Sequence, residues 1–226
     1  ACFKLISPQG ITILIDPWIK DNPQSPESVK DIGKVIDYLL VSHAHGDHLG
    51  DTLELAKSSG GTVVSMPEIA HYLKQKGLTP EKTIGMNKGG SVSFVDFRIT
   101  MVNAFHSSSF WEGNKIIYGG EAAGFIIRFN NGFTVYHAGD TGVFSDMKII
   151  GELYKPNIAL LPIGNHYVMG PEEAVYACKL LNPSYVIPMH YGTFPVLTGT
   201  PEKFKELMRS LPEIKVLVLK PGETIE

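Results

Sequence analysis

Three imidazoles and a carboxylate fall within six positions of the stretch Ser42-His43-Ala44-His45-Gly46-Asp47-His48-Leu49-Gly50, directly after the apolar run Tyr38-Leu39-Leu40-Val41. Neutral imidazole and carboxylate are the donors that borderline divalent metals prefer, and few other needs concentrate them at the end of a strand. In extended backbone, side chains two apart share a side, so His43 and His45 can converge on one ion. Gly46 permits a sharp turn, after which Asp47 and His48 open a helix predicted to run through Lys57. That change of direction suggests a second ion.

The remainder of the chain reads as a scaffold for such a site. Cys2 to Ile6 and Ile11 to Ile15 flank the turn Ser7-Pro8-Gln9-Gly10 as a hairpin, and polar residues 20–34, with Pro23 and Pro26, read as a surface loop leading into strand 36–41. A strand over 62–65 and a helix over 67–76, between Pro67 and Gly77, follow. Residues 91–104 alternate as two antiparallel strands, 107–120 read as a glycine-containing loop, and Asn130-Asn131-Gly132 joins a further hairpin over 124–136. The rhythm then alternates: helix 145–154, strand 157–162, helix 171–181, strand 184–189, helix 201–210, strand 214–219. Hairpins followed by βα units predict an α/β, α+β layered fold with helices outside, one domain over residues 1–226.

Asp16, His106, Asp140 and His190 each lie just past the end of a predicted apolar strand, the edge at which open α/β sheets build their sites. With the 43–48 cluster they can supply two cations. A net charge of −3 leaves no basic footprint for nucleic acid. No run approaches the ~20 apolar residues of a membrane span, and no signal peptide is evident. The two cysteines, Cys2 and Cys178, form no CxxC pair, which points to a reduced, cytoplasmic protein with Cys178 a small apolar residue of a helix.

His43-x-His45-x-Asp47-His48, followed by His106, Asp140 and His190 and preceded by Asp16, resembles the metallo-β-lactamase fold superfamily. Tyr118-Gly119-Gly120, His137-Ala138-Gly139-Asp140-Thr141, Pro162-Ile163-Gly164, Met169-Gly170-Pro171-Glu172-Glu173-Ala174 and Pro188-Met189-His190-Tyr191-Gly192-Thr193 resemble, within it, the UPF0173 metal-dependent hydrolase family. That family is similar to ascorbate-6-phosphate lactonases and N-acylphosphatidylethanolamine phospholipase D. The resemblance implies a four-layer αββα sandwich with two divalent metal ions in a cleft at one edge. His43, His45 and His106 would hold the first ion, Asp47, His48 and His190 the second, and Asp140 would bridge them. Asp16 would stand behind them, orienting a ligand by a hydrogen bond. The nucleophile implied is a hydroxide between the ions, flanked by Asp47 and Asp140, attacking an ester, lactone or phosphodiester of a small molecule. Members of the family begin with a strand ending in Gly-His before the position of Ala1, so a further N-terminal strand is implied, and relatives commonly associate as homo-oligomers. A cysteine in place of Asp140 would mark many true β-lactamases, and a glutamate in place of His45 the flavodiiron proteins; this chain has neither.

Other residues carry two readings. His71 reads as structural, with no second ligand type beside it. His137, three residues before Asp140, either orients the site from behind or packs. His166 lies at the same sheet edge, where relatives have a histidine lining the substrate cleft, and reads as a contact to substrate or to an oxygen of the transition state. Phe110 and Trp111 either form a lid over the cleft that touches substrate or anchor their loop to the core. Zinc suits the nitrogen and oxygen donors first, with manganese, nickel and iron compatible. A protein of another class, with the same metals stabilising an idle binding scaffold, is the alternative to an enzyme; seven candidate ligands leave open positions on two ions, which a closed structural site lacks.

Overall fold

Short apolar strands alternating with capped helices build two sheets. The computed structural model describes residues 1–29, 32 and 35–226, so the loop expected over 20–34 falls partly outside the described residues. The first sheet has the order β1-β2-β3-β4-β5: β1 (Phe3–Ile6), β2 (Thr12–Ile15), β3 (Tyr38–Leu40), β4 (Thr62–Ser65) and β5 (Thr83–Gly85). β1 and β2 form the expected antiparallel hairpin, and β2 to β5 run parallel. The second sheet has the order β14-β13-β12-β11-β10-β7-β6. β6 (Ser91–Ser93), β7 (Phe97–Asn103), β10 (Ala123–Phe129) and β11 (Thr134–His137) are antiparallel neighbours; β12 (Ile158–Pro162), β13 (Tyr185–Met189) and β14 (Lys215–Val216) extend β11 in parallel.

The sheets face each other. Fully buried Ile13, Leu39 and Leu40 of the first sheet share one apolar core with Ile99, Phe125 and Ile127 of the second, and Tyr38 meets Phe97 across the interface at 5.2 Å between ring centroids. Helices α2 (Thr52–Ser59) and α3 (Pro67–Gln75) cover the first sheet, while α4 (Met147–Tyr154), α5 (Pro171–Leu181) and α6 (Pro201–Leu207) pack side by side outside the second. The result is the αββα sandwich, whose helices present one apolar stripe to a sheet and a polar face to water. Cys178 sits fully buried in α5, its thiol pushed up to about 12 by burial. No helix among the described residues is long and apolar enough to cross a membrane.

Three elements differ from expectation. The helix predicted from 47 to 57 is broken into α1 (Gly46–Leu49) and α2. Gly50 adopts φ +36° there, and a Cβ on it would stand 2.4 Å from the Pro17 carbonyl oxygen. Asp51 completes the dock: its N–H donates to Pro17 O at 2.7 Å, and its carboxylate accepts from Ile19 and Lys20 N–H. The break thus locks the Asp16 turn against the histidine stretch. Second, 109–118 is a hairpin, β8 (Ser109–Glu112) and β9 (Lys115–Tyr118), not a plain loop. Third, the last strand shrinks to Lys215–Val216, and α6 ends at Leu207 in a 3-10 turn over Met208–Ser210.

Candidate metal centre

Every predicted donor lies at one edge of the sandwich. β7 and β11 are each antiparallel to β10, so they point the same way and release His106 and Asp140 on the same side. His190 directly follows β13, parallel to this pair, and Asp16 directly follows β2 of the facing sheet. The stretch after β3 gives His43 and His45 from extended chain and Asp47 and His48 from α1. Gly46 has an ordinary negative φ with nothing within 4 Å of a built Cβ, so the turn does not depend on glycine as expected.

These side chains gather in two groups, His43 with His45 and His106, and Asp47 with His48, Asp140 and His190; within each, one donor atom per residue lies within 4.8 Å of all the others. In the first group, His43 Nε2 and His106 Nε2 approach His45 Nδ1 at 3.0 and 3.2 Å. One ring N–H can satisfy only one of these contacts, so the three nitrogens suit a shared cation better than each other. In the second group, Asp140 Oδ2 is 3.0 Å from His190 Nε2, and Asp47 Oδ2 is 3.4 Å from it. Asp140 also lies between the groups: its Oδ2 is 3.7 Å from His106 Nε2 and 4.0 Å from His43 Nε2, and its Oδ1 is 3.2 Å from His48 Nε2. His48 Nε2 and Asp140 Oδ1 are buried without a hydrogen bond. Buried polar atoms left unpaired are costly, and two facing each other fit a cation that takes both.

Behind the donors stands fully buried Asp16. Its Oδ1 accepts the Ser42 N–H at 2.7 Å, and its Oδ2 accepts the Ser42 hydroxyl at 2.7 Å and His48 Nδ1 at 2.8 Å. Burial would raise its pKa, but the charge and hydrogen bond of His48, helped by His137 and His43, hold it below the usual carboxylate range. Asp140 is likewise held well below that range against burial, by His48 and His190, and Asp47 is brought down to about 2, mainly by its hydrogen bond to His190 and the charge of His48. His137 is buried, and its Nδ1 accepts from Gly139 N–H at 3.1 Å while its Nε2 bonds Ala1 O at 3.0 Å. It thereby braces the turn that presents Asp140.

The opposing shifts set a pH dependence for chelator-stripped protein. Burial would lower His48, but the Asp140 and Asp16 carboxylates raise it from 6.5 to about 10. A raised base stabilises the fold fully below its unfolded pKa and loses that contribution as pH rises through the folded one. His43, His45 and His106 are lowered, first of all by burial, so they withdraw stability as pH falls below 6.5. Melting temperature should therefore peak near pH 6.5 and fall toward pH 10. If added zinc takes the place of the proton on His48 Nε2, it should flatten the alkaline limb. Thermal melts across this range with and without zinc check both limbs.

The remaining predicted residues separate. His166 is exposed on the turn after β12, at φ +61° next to Asn165 at +65°. This turn abuts the second group: a Cβ on Gly164 would stand 2.1 Å from His190 O. Of the six described non-glycine residues with positive φ, Asp16, Asn165, His166 and His190 are at this edge, where strain is kept because surrounding contacts hold it. The hairpin aromatics part ways. Phe110 is only 9% exposed, with its ring 4.3 Å from Tyr72, which is the core-anchor reading; strand alternation sends Trp111 outward, 70% exposed. His71 is exposed on α3 and bonds Gln75. The aromatics bordering the donors are instead Trp18 and Phe194, stacked at 5.8 Å and 17°, which with Asp47 and His190 line a cavity of about 20 Å³.

Known proteins share this arrangement of sequence and fold. The family model of the beta-lactamase superfamily domain matches residues 12–191. A UPF0173 metal-dependent hydrolase of Koribacter versatilis is 49% identical over 99% of this chain and 94% of its own, and one of Methanosarcina mazei is 48% identical over 95% and 90%. Igni18, a metallo hydrolase from the hyperthermophilic archaeon Ignicoccus hospitalis, superposes with a TM-score of 0.87 at 42% identity, over 99% of this chain and 93% of that one. An isothiocyanate hydrolase from Delia radicum gut bacteria shares the fold at 22% identity, with a TM-score of 0.77 over 100% and 95% of the two chains. Near-half identity over almost the whole length, joined to the donor cluster at the sandwich edge, means that the chain belongs to the UPF0173 metal-dependent hydrolase family of the metallo-β-lactamase superfamily.

Proposed function

We propose that this chain is a dinuclear hydrolase that cleaves an ester, lactone or phosphodiester of a small molecule. The observation that carries the reading is the pair of donor groups sharing Asp140, with His48 Nε2 and Asp140 Oδ1 buried without a hydrogen bond and 3.2 Å apart. His43, His45 and His106 would hold one cation, Asp47, His48 and His190 the other, and Asp140 would serve both. Zinc suits the set first, with manganese, nickel or iron compatible. Two bound cations would supply a water of lowered pKa and a Lewis acid for the oxygen that gains charge.

The chain's own residues do the rest. Asp47, whose side chain is 23% exposed, is the more open of the two carboxylates and would accept the proton of the attacking water. Asp140 keeps its charge between the groups, and Asp16 and His137 fix the ligands and the turn that carry them. His166, on the exposed turn that abuts His190, would hydrogen-bond the substrate oxygen as charge develops. Trp18 and Phe194 wall the side near Asp47 and His190.

Titrating zinc or manganese into stripped protein, with ester and phosphodiester chromogens as substrates, tests the reading. Turnover should rise to a plateau at two equivalents. His166→Ala should lower kcat by of order 10²-fold with metal content unchanged. A metal-replete protein that turns over none of these substrates would favour the idle-scaffold alternative.

A further inference from the structure

Ser42 lies fully buried between β3 and the ligands, and its hydroxyl touches both Asp16 and His43. A carboxylate accepts hydrogen bonds and donates none, so the direction of the chain is forced. The Ser42 O–H donates to Asp16 Oδ2 at 2.7 Å, which leaves the oxygen's lone pairs to accept His43 Nδ1–H at 3.0 Å. No other hydrogen bond reaches His43 Nδ1 among the described residues. With its proton pinned on Nδ1, His43 turns the lone pair of Nε2 toward His45 and His106. His48 is fixed in the same sense by the same carboxylate oxygen: its Nδ1–H donates to Asp16 Oδ2 at 2.8 Å, and its Nε2 faces Asp140.

One carboxylate therefore sets the tautomer of one histidine in each donor group, directly in the second and through a single hydroxyl in the first. Asp16 is held for this in an uncommon conformation, φ +48°, by Asp16 N–H on Leu40 O and Trp18 N–H on Asp16 O. The second Ser42 bond, N–H to Asp16 Oδ1 at 2.7 Å, keeps the carboxylate from rotating away.

We infer that Ser42 is a positioning residue that carries the hold of Asp16 to His43, so that the two cation sites share one orienting carboxylate and come apart at the Ser42 hydroxyl. This rests on the dinuclear reading above.

Zinc alone, titrated by calorimetry into chelator-stripped protein, tests it without any substrate, with cobalt absorption spectra as a second readout. Two backgrounds isolate the sites: His190→Ala keeps His43, His45 and His106, and His106→Ala keeps the second group. Ser42→Ala should weaken zinc binding about 10–100-fold in the first background. In the second, where His48 Nδ1 keeps its own bond to Asp16 Oδ2, the loss should be much smaller. Asp16→Asn should weaken both. The isosteric pair Ser42→Thr and Ser42→Val repeats the comparison at matched volume, and only the threonine should restore the first site. Equal losses in both backgrounds, no loss in the first, or equal behaviour of the threonine and valine variants would overturn the inference. Failure of the unmodified chain to take up zinc would instead overturn the dinuclear reading beneath it.

Discussion

Replacing Asp140 with alanine should lower kcat/KM by at least about 10³-fold, or about 4 kcal/mol of transition-state stabilisation. Its two oxygens lie within 4.0 Å of four histidines drawn from both donor groups. No other carboxylate among the described residues reaches the Nε2 side of both groups: Asp47 pairs only with His48 and His190, and Asp16 meets His48 at Nδ1 and His43 only through Ser42. The loss should appear in metal content as well as rate, with fewer than two zinc equivalents retained after dialysis. Removing one partner of a buried charged pair also costs about 3–5 kcal/mol where the other keeps its charge. His48 is the exposed party in that sense, because Asp140 and Asp16 together raise it to about 10 against burial. The stripped alanine variant should therefore melt lower than the parent and lose much of the parent's alkaline limb. Asp140→Asn separates the effects, since it keeps the volume and one acceptor while removing the charge. Activity near the parent level in either variant would sink the proposed mechanism.

The candidate donor set was legible because its chemistry is local: each candidate ligand is a polar residue close to the end of an apolar strand, and neither polarity nor strand propensity needs a tertiary context to be read. Asp16, equally readable as a turn residue before Pro17, acquires its role only when folding puts Ser42 and His48 against it. The helix break at Gly50 was not legible, since residues 47–57 carry a sound helical pattern and what stops them is the Pro17 carbonyl, brought in by a different strand. The β8–β9 hairpin did leave a signal in Gly113-Asn114, but serine and glycine on both sides made the segment resemble loop. The Trp18–Phe194 stack is the hardest case. Its rings come from the two ends of the chain, and no local pattern distinguishes them from Phe110 and Trp111, which carry the same side-chain types in a hairpin.

Gly164→Ala should be among the most damaging single-methyl additions in the protein, and its damage should be directed at the second donor group. The added Cβ would stand 2.1 Å from His190 O, and 3.2 Å from Leu197 Cδ2. Leu197 can shift a side chain, but the carbonyl is backbone, and it belongs to His190, a candidate ligand already held at φ +56°. Flanking bonds leave it little room: Ile163 N–H donates to Met189 O and Gly199 N–H to Gly164 O, each at 3.0 Å. Overpacking of this kind costs about 1–3 kcal/mol. For a chain of this length that is a fall in melting temperature of about 2–12 °C. Displacing His190 should also weaken the second zinc equivalent while sparing the first, whose ligands come from other strands. Gly46→Ala is the matched control: it sits between His45 and Asp47, yet its Cβ meets nothing within 4 Å. It should leave both melting temperature and zinc stoichiometry unchanged. If Gly164→Ala kept two tight zinc equivalents while Gly46→Ala lost one, backbone crowding around His190 would not be what holds the second group in place.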